Sequence, residues 1–253
     1  MTEKRIKIND LFINFFEFKP ENEQGLFLIL HGWGSRAEKW QKAGELLAQK
    51  GYKVVIPDLP GFGRSGKPTR IWDIDDYCNF VSEFAERLGL EKFYLLGHSF
   101  GGALAIKYSL KFPAKINKLF LVGAACFRRK TIRKRIFCVI AKILKIFSFL
   151  PCYQIFRKGF YKFVVRSDYP YAEGVMRDIY LKIIKEDLSE FLPLVQVPVI
   201  IIWGKKDKIK SIKEGRLIQE KIKGSKLEVL ENAGHSLYKE CPRKFIEIVD
   251  QYL

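Results

Sequence analysis

The stretch "LLGHSFGGALAI", residues 95–106, runs from an apolar strand straight into a helix with one serine held between glycines. Gly97-His98-Ser99-Phe100-Gly101 fits G-x-S-x-G, the strand-to-helix elbow that lifts a serine hydroxyl above the end of a sheet. Such an elbow strains the backbone of the serine and survives only where the neighbours allow a close turn. The residues two before and two after the serine crowd each other there, so glycine at 97 and 101 answers a steric demand. Gly102 and Ala103 carry the smooth surface on into the helix, letting it pack near the adjoining strands. A competing reading is a strand-turn-helix of small residues with an incidental serine, and a pattern this short does not exclude it. The rest of the chain has to decide.

At 253 residues the chain can bury a large core, as one α/β domain or as one domain with an insert. Its 48% hydrophobic and 29% charged residues place it among globular proteins rather than disordered ones. Cys78, Cys126, Cys138, Cys152 and Cys241 are odd in number and form no CxxC pair. Reduced thiols in a reducing, cytoplasmic compartment are therefore expected, with no disulfide frame, no metal site and no cofactor. The opening "MTEKRIKINDLF" is basic but has no apolar core, so no secretory signal is expected. No uninterrupted apolar run reaches the length of a transmembrane helix.

The formal charge of +17 is concentrated. Between Lys92 and Ser167 there is no Asp or Glu but 17 Lys and Arg, while the remaining 28 basic residues balance the 28 acidic ones. The density peaks in "FRRKTIRKRIF", 127–137. A block of this kind suits an anionic substrate or an anionic membrane surface. A Lys- and Ile-rich coding bias that leaves a solvated face competes with that reading. Nucleic acid is not expected, because no recognition motif accompanies the charge.

Strands and helices alternate along the chain. "RIKI" and "LFINFFEF" look like an opening antiparallel pair, and "GLFLILHGW" is a short continuous apolar run typical of a buried parallel strand. A helix over roughly 37–50 follows, with Ser35 as its expected N-cap and Gly51 as its stop. "YKVVIPD" is the next strand, and the loop "LPGFGRSGKP" leads to a helix capped by Asp73 or Asp75 and ending at Gly89. "KFYLLGH" enters the elbow, whose helix closes before Pro113; "INKLFLVGAA", "VPVIIIWG" and "KLEVLENAG" are further strands. The pattern predicts a mostly parallel, eight-stranded-type sheet with helices on both faces. Residues 1–125 and 191–253 form that core, and about 126–190 interrupt it. The interruption contains "TIRKRIFCVIAKILKIF", with Ile132, Ile136, Val139, Ile140, Ile143 and Phe147 at helical spacing. An inserted helical cap above the strand ends is expected, where open α/β sheets bind ligands.

A serine hydroxyl needs a nearby base, itself oriented by a third group. The chain has three histidines. His98 lies inside the elbow and is expected to be a packing residue; His31 opens "HGWG" and is expected to stabilise that loop. His235, in "ENAGHSLYKE" after the last strand, is the candidate base, against the alternative of a surface histidine. Asp207, in "IIIWGKKDKI", is the candidate acid, against the alternative of a turn carboxylate among lysines. For a developing oxyanion, the backbone N–H of Phe100 can supply one donor and that of Trp33 another. Trp33 also suits a wall of an acyl pocket.

"HGWG", "DLPGFGRS", "GHSFGG", "WGKKDKI" and "NAGHSLYKECP" together resemble the lid-bearing serine hydrolases of the α/β-hydrolase superfamily, in order and spacing. The resemblance covers nearly all of 25–253 except the lid. It implies the α/β-hydrolase fold and the chain order Ser99, Asp207, His235 for nucleophile, acid and base. It also implies a carboxylesterase that cleaves a small-molecule ester through an acyl-enzyme. Some related enzymes place the acid after the strand that here ends "LVGAAC", where this chain has no carboxylate, which favours Asp207. Asp58 and Arg64 match a family loop and read as structural. Serine at the nucleophile position speaks against haloalkane dehalogenase or epoxide hydrolase chemistry. Carbon–carbon hydrolysis of a vinylogous diketo acid, a lipase-like enzyme at a membrane surface, and a non-catalytic binding module are the alternatives, and fold alone does not choose among them.

Overall fold

The computed structural model describes residues 1–128 and 173–253. The strands are β1 (Thr2–Ile8), β2 (Leu11–Phe18), β3 (Gly25–Leu30), β4 (Tyr52–Pro57), β5 (Phe93–His98), β6 (Ile116–Val122), β7 (Val199–Gly204) and β8 (Lys226–Leu230). Among the described residues they form one sheet in the order β1-β2-β4-β3-β5-β6-β7-β8. β1 and β2 pair antiparallel, as does β2 with β4, and every pair from β4 to β8 is parallel. The expected mostly parallel sheet is therefore present, with its antiparallel opening pair at one edge.

Among the described residues the helices are α1 (Gln41–Gln49), α2 (Ile74–Arg87), α3 (Phe100–Lys111), α4 (Gly174–Ile183), α5 (Ile212–Lys221), α6 (Leu237–Glu240) and α7 (Pro242–Asp250). They cover the sheet on both sides because the strands are apolar on both. Successive residues of a strand point to opposite faces. In β3, Leu28 and Leu30 join the core under α2 and α3, while Phe27 and Ile29 join the core under α1 and α7. In β7, Ile201 and Trp203 go one way and Ile200 and Ile202 the other. This double burial is why these strands read as unbroken apolar runs instead of alternating ones.

Local signals place most helix ends. Asp73 caps α2 by accepting from the Asp76 N–H, and Asp76 returns the bond to the Asp73 N–H, a reciprocal capping box. Gly51 and Gly89 follow α1 and α2 at φ of 90° and 63°, a region glycine enters without strain. The expected Ser35 cap is corrected. The helix opens as a 3₁₀ turn, Ala37–Trp40, preceded by Arg36 with no side-chain cap bond. Its Ala37 N–H is satisfied by Asp58 Oδ1 at 2.6 Å, a carboxylate 21 residues away.

Of the expected cap, 126–190, the structure describes the two ends. Helix α4 buries Met176 and Ile179 against the core. The amphipathic lid at 127–147 lies almost wholly outside the described residues, as do Cys138 and Cys152. Among the described residues Cys78, Cys126 and Cys241 are free thiols. Among the described residues no helix is long and apolar enough to cross a membrane.

Candidate active site

The parallel strands end together along one edge of the sheet. Leu30 pairs with Gly97, His98 with Val122, Val122 with Ile202, and Gly204 with Leu230. The loops that leave these ends carry every candidate residue, at the edge where parallel α/β sheets hold their ligands.

Ser99 sits at φ 52° and ψ −111°, a strained conformation for a residue with a Cβ. The surroundings account for its persistence. The Ser99 N–H donates to the Val122 carbonyl at 3.0 Å, and the Ser99 carbonyl accepts from Gly102, Ala103 and Ala125. A Cβ on Gly97 would lie 2.3 Å from the Gly101 carbonyl oxygen, and one on Gly101 would lie 2.1 Å from that of Leu30. One on Gly102 would meet Ala124 Cβ at 2.7 Å. The elbow is thus closed by backbone carbonyls at Gly97 and Gly101, as the glycine pattern predicts, and by Ala124 at Gly102. Ser99 itself is half-buried, so its hydroxyl stays reachable.

Asp207 and His235 come from neighbouring strand ends stitched together by backbone bonds. The Lys205 N–H donates to the Leu230 carbonyl and the Lys206 N–H to that of Ala233, both at 2.9 Å. Gly204 permits this approach, since a Cβ there would fall 2.2 Å from the Gly234 carbonyl oxygen. His235 Nδ1–H then donates to Asp207 Oδ2 at 2.6 Å. The Asp207 side chain is fully buried and that of His235 is 12% exposed, so the bond is shielded from water. Asp207 Oδ1 accepts from the Ile209 and Lys210 N–H groups at 2.8 Å each, which fixes the carboxylate plane. In a neutral imidazole, donation from Nδ1 leaves Nε2 as the nitrogen with a free lone pair, the form a general base uses. At the end of β6, where a carboxylate is missing, Gly123 takes φ 51° and a Cβ on it would lie 3.2 Å from the His235 ring.

The other two histidines separate in role. His31 is completely buried; its Nδ1–H donates to the Gly32 carbonyl at 2.8 Å and its Nε2 accepts the Leu59 N–H at 3.0 Å. Both nitrogens are occupied, and burial pushes its pKa down to about 4, so it orders the loop as expected. His98 is buried among the rings of Trp40 and Tyr238, as a packing residue would be. It also does something the sequence reading missed: its Nε2–H donates to the His235 carbonyl at 2.9 Å.

The "HGWG" loop stands beside the serine. A Cβ on Gly32 would lie 3.3 Å from Ser99 Cβ. The loop turns through Gly34 at φ 67°, closed by the Ser35 N–H on the Gly32 carbonyl. Trp33 follows Gly32, and Phe100 opens α3, where the first N–H groups have no acceptor inside the helix. The Trp33 ring packs against Phe62, Phe100 and Tyr180, the last contributed by α4. Asp58 ties the loops together by accepting from the Ala37 N–H, the Arg64 N–H and the Asn14 side-chain amide. Arg64 itself pairs at the surface with Glu3, so Asp58 and Arg64 take the structural places expected of them.

Glu240 was not singled out in sequence. Its Oε2 accepts the Gly234 N–H at 2.6 Å and its Oε1 the Ser236 N–H at 3.2 Å, on either side of His235. The available signal was a carboxylate one helical turn after Ser236, close enough to fold back on the start of α6.

The family model described as the alpha/beta hydrolase fold matches residues 25–163. The monoacylglycerol lipase abhd6-A of Xenopus laevis is 28% identical, over 93% of this chain and 77% of that protein. An esterase from Exiguobacterium antarcticum superposes with a TM-score of 0.76 at 25% identity, covering 99% of both chains. The meta-cleavage product hydrolase of Pseudomonas fluorescens superposes at 0.74 with 20% identity, over 98% of this chain and 96% of that one, a likeness of fold.

Proposed function

Since this chain belongs to the α/β-hydrolase family, we propose that it is a serine hydrolase of carboxylic esters, with Ser99 as nucleophile, His235 as base and Asp207 as orienting acid. The observation that carries this reading is the shielded 2.6 Å bond from His235 Nδ1–H to Asp207, at the strand ends that also hold the strained Ser99 elbow. The activities of the lipase and esterase that this chain resembles support an acyl ester as substrate.

In this mechanism Ser99 Oγ attacks the ester carbonyl while His235 Nε2 takes the hydroxyl proton. Asp207 holds Nδ1–H and stabilises the imidazolium that results. The N–H groups of Phe100 and Trp33 donate to the developing oxyanion, and His235 returns the proton to the departing alcohol. Water then attacks the acyl-enzyme, giving its proton to His235, and Ser99 leaves with that proton. The segment 126–190 would act as a cap over this edge, with Tyr180 of α4 meeting Trp33 beneath it.

The test is turnover of esters of graded chain length, with a vinylogous diketo acid in the same panel, by wild type and Ser99→Ala. Loss of the nucleophile costs about six orders of magnitude in such a triad. A folded Ser99→Ala that keeps wild-type turnover overturns the reading, and preference for the diketo acid replaces ester chemistry with carbon–carbon hydrolysis.

A second reading rests on the acid-free stretch from Lys92 to Ser167: the substrate is met at an anionic lipid surface. Each basic residue near such a surface adds about 1 kcal/mol, weakened by salt. Cosedimentation with anionic and neutral vesicles at low and high salt tests it; equal binding to both leaves a basic face without a membrane role.

A further inference from the structure

His235 is held at its backbone as well as by the Asp207 bond on its side chain. Glu240 bridges the N–H groups of Gly234 and Ser236, at 2.6 and 3.2 Å. His98 Nε2–H grips the carbonyl of His235 itself at 2.9 Å. A carbonyl only accepts, so the proton of His98 resides on Nε2. The residue next to His98 is Ser99. One side chain therefore links the serine elbow to the base loop across 137 positions of sequence.

We propose that His98 and Glu240 are positioning residues that hold His235 for proton transfer from Ser99, a role that rests on the serine-hydrolase reading above. The need for them follows from the loop. Gly234 precedes His235 and places no steric restriction on the turn. The bond to Asp207 controls only where the imidazole Nδ1 sits. Without bonds on its own peptide groups, the His235 backbone could pivot about that anchor and carry Nε2 away from Ser99. With both amides and the carbonyl restrained, the backbone is set and only the ring torsions remain.

The surroundings of His98 keep its donor constant. Its ring lies 4.7 Å from that of His235, 5.1 Å from that of Tyr238 and 5.9 Å from that of Trp40. Its Nδ1 faces Gly32, where an added Cβ would lie 3.0 Å away. Burial first, and then the neighbouring His235 ring, push its pKa down to about 3, with its bond to the His235 carbonyl and then Asp207 opposing. His98 thus stays neutral while His235 cycles between neutral and charged forms. A second cation beside the imidazolium would oppose the proton transfer, and a neutral donor does not.

The experiment uses the full chain with Glu240→Ala, His98→Leu and His98→Gln, each checked for folding by circular dichroism. Glutamine places an amide N–H close to the position of His Nε2, and leucine fills the space without a donor. Displacements of about 1 Å at reacting groups cost on the order of 10²-fold. Glu240→Ala and His98→Leu should accordingly lower kcat by about 10- to 100-fold with KM within about two-fold, and His98→Gln should recover most of the loss. In parallel, the downfield proton resonance of His235 Nδ1–H, assigned by its absence in His235→Gln, should broaden in the first two variants and stay sharp in His98→Gln. Unchanged kcat and a sharp resonance in Glu240→Ala and His98→Leu overturn the proposal. Equal losses in His98→Leu and His98→Gln overturn it for His98 by reducing that residue to packing; if His98→Leu does not fold, His98→Gln and Glu240→Ala decide. If Ser99→Ala retains turnover, the serine-hydrolase reading fails separately, and the imidazole resonance alone decides whether the clamp orders His235.

Discussion

Mild acid should weaken this fold well before its carboxylates titrate, because two of its three histidines are buried in neutral form. Burial holds His31 down to about 4, with the Gly32 carbonyl and Asp58 opposing and Lys39 assisting. Burial and then His235 hold His98 down to about 3. Both start from 6.5 in the unfolded chain. Below that value the unfolded chain binds protons that the folded one refuses, so stability is fully present above it and falls as pH falls. Each unmatched proton changes stability by about 1.4 kcal/mol per pH unit. Integrated from about pH 7 to about pH 5.5, each histidine removes about 1.2 kcal/mol and the pair about 2.5 kcal/mol. That is a sizeable part of the ~5–15 kcal/mol that a domain has in total. Glu17, Asp73 and Asp187, whose pKa values are lowered, add their losses at lower pH, while Glu186, raised by burial, opposes them there. The assay is urea unfolding at a series of pH values, extrapolated to water at constant m. His31→Gln should lower the slope by about half whatever its own stability. A flat free energy across the window, or an unchanged slope in His31→Gln, refutes the buried-neutral account.

Asp207→Asn should lower kcat by about 10⁴-fold, because an amide facing Nδ1 favours the wrong tautomer of His235; steady-state kinetics at fixed substrate check it, and unchanged kcat means another acid orients the base. Gly101→Ala should destabilise by on the order of 3 kcal/mol or more, since its Cβ would lie 2.1 Å from the Leu30 carbonyl oxygen and backbone cannot step aside. Denaturant midpoints measure this, and wild-type stability would show that the elbow has room for a Cβ there. Asp58→Ala should cost more than about 3 kcal/mol, because it strands three donors at about 1–3 kcal/mol each, those of Ala37, Arg64 and Asn14. A loss under about 1 kcal/mol in the same unfolding assay would mean that other acceptors replace the carboxylate.

What the sequence determined by itself is what local forces decide. The elbow was legible because Gly97 and Gly101 answer a clash within four residues of backbone, and the clash is there at 2.3 Å. The parallel strands were legible because burial on both faces leaves unbroken apolar runs such as "GLFLIL" and "VIIIWG". A cap at Asp73 or Asp75 was legible because such a bond closes within one turn, and the structure selects Asp73 with Asp76 as its partner. The order of Ser99, Asp207 and His235 was read as a pattern, whereas the bond between His235 and Asp207 is a property of the sheet. Tertiary structure decided the rest. Ser35 had the right chemistry to cap the first helix, yet the Ala37 N–H takes Asp58, 21 residues on, because the sheet brings β4 beside β3. His98 looked like packing alone, because nothing near it in the chain names the His235 carbonyl as its acceptor, 137 residues away. Glu240 drew no reading in sequence, and its role shows only where its helix brings it to the amides that flank His235. A steric clash or a one-turn hydrogen bond is written in neighbouring residues, whereas an acceptor delivered by another strand exists only once the sheet has set its register.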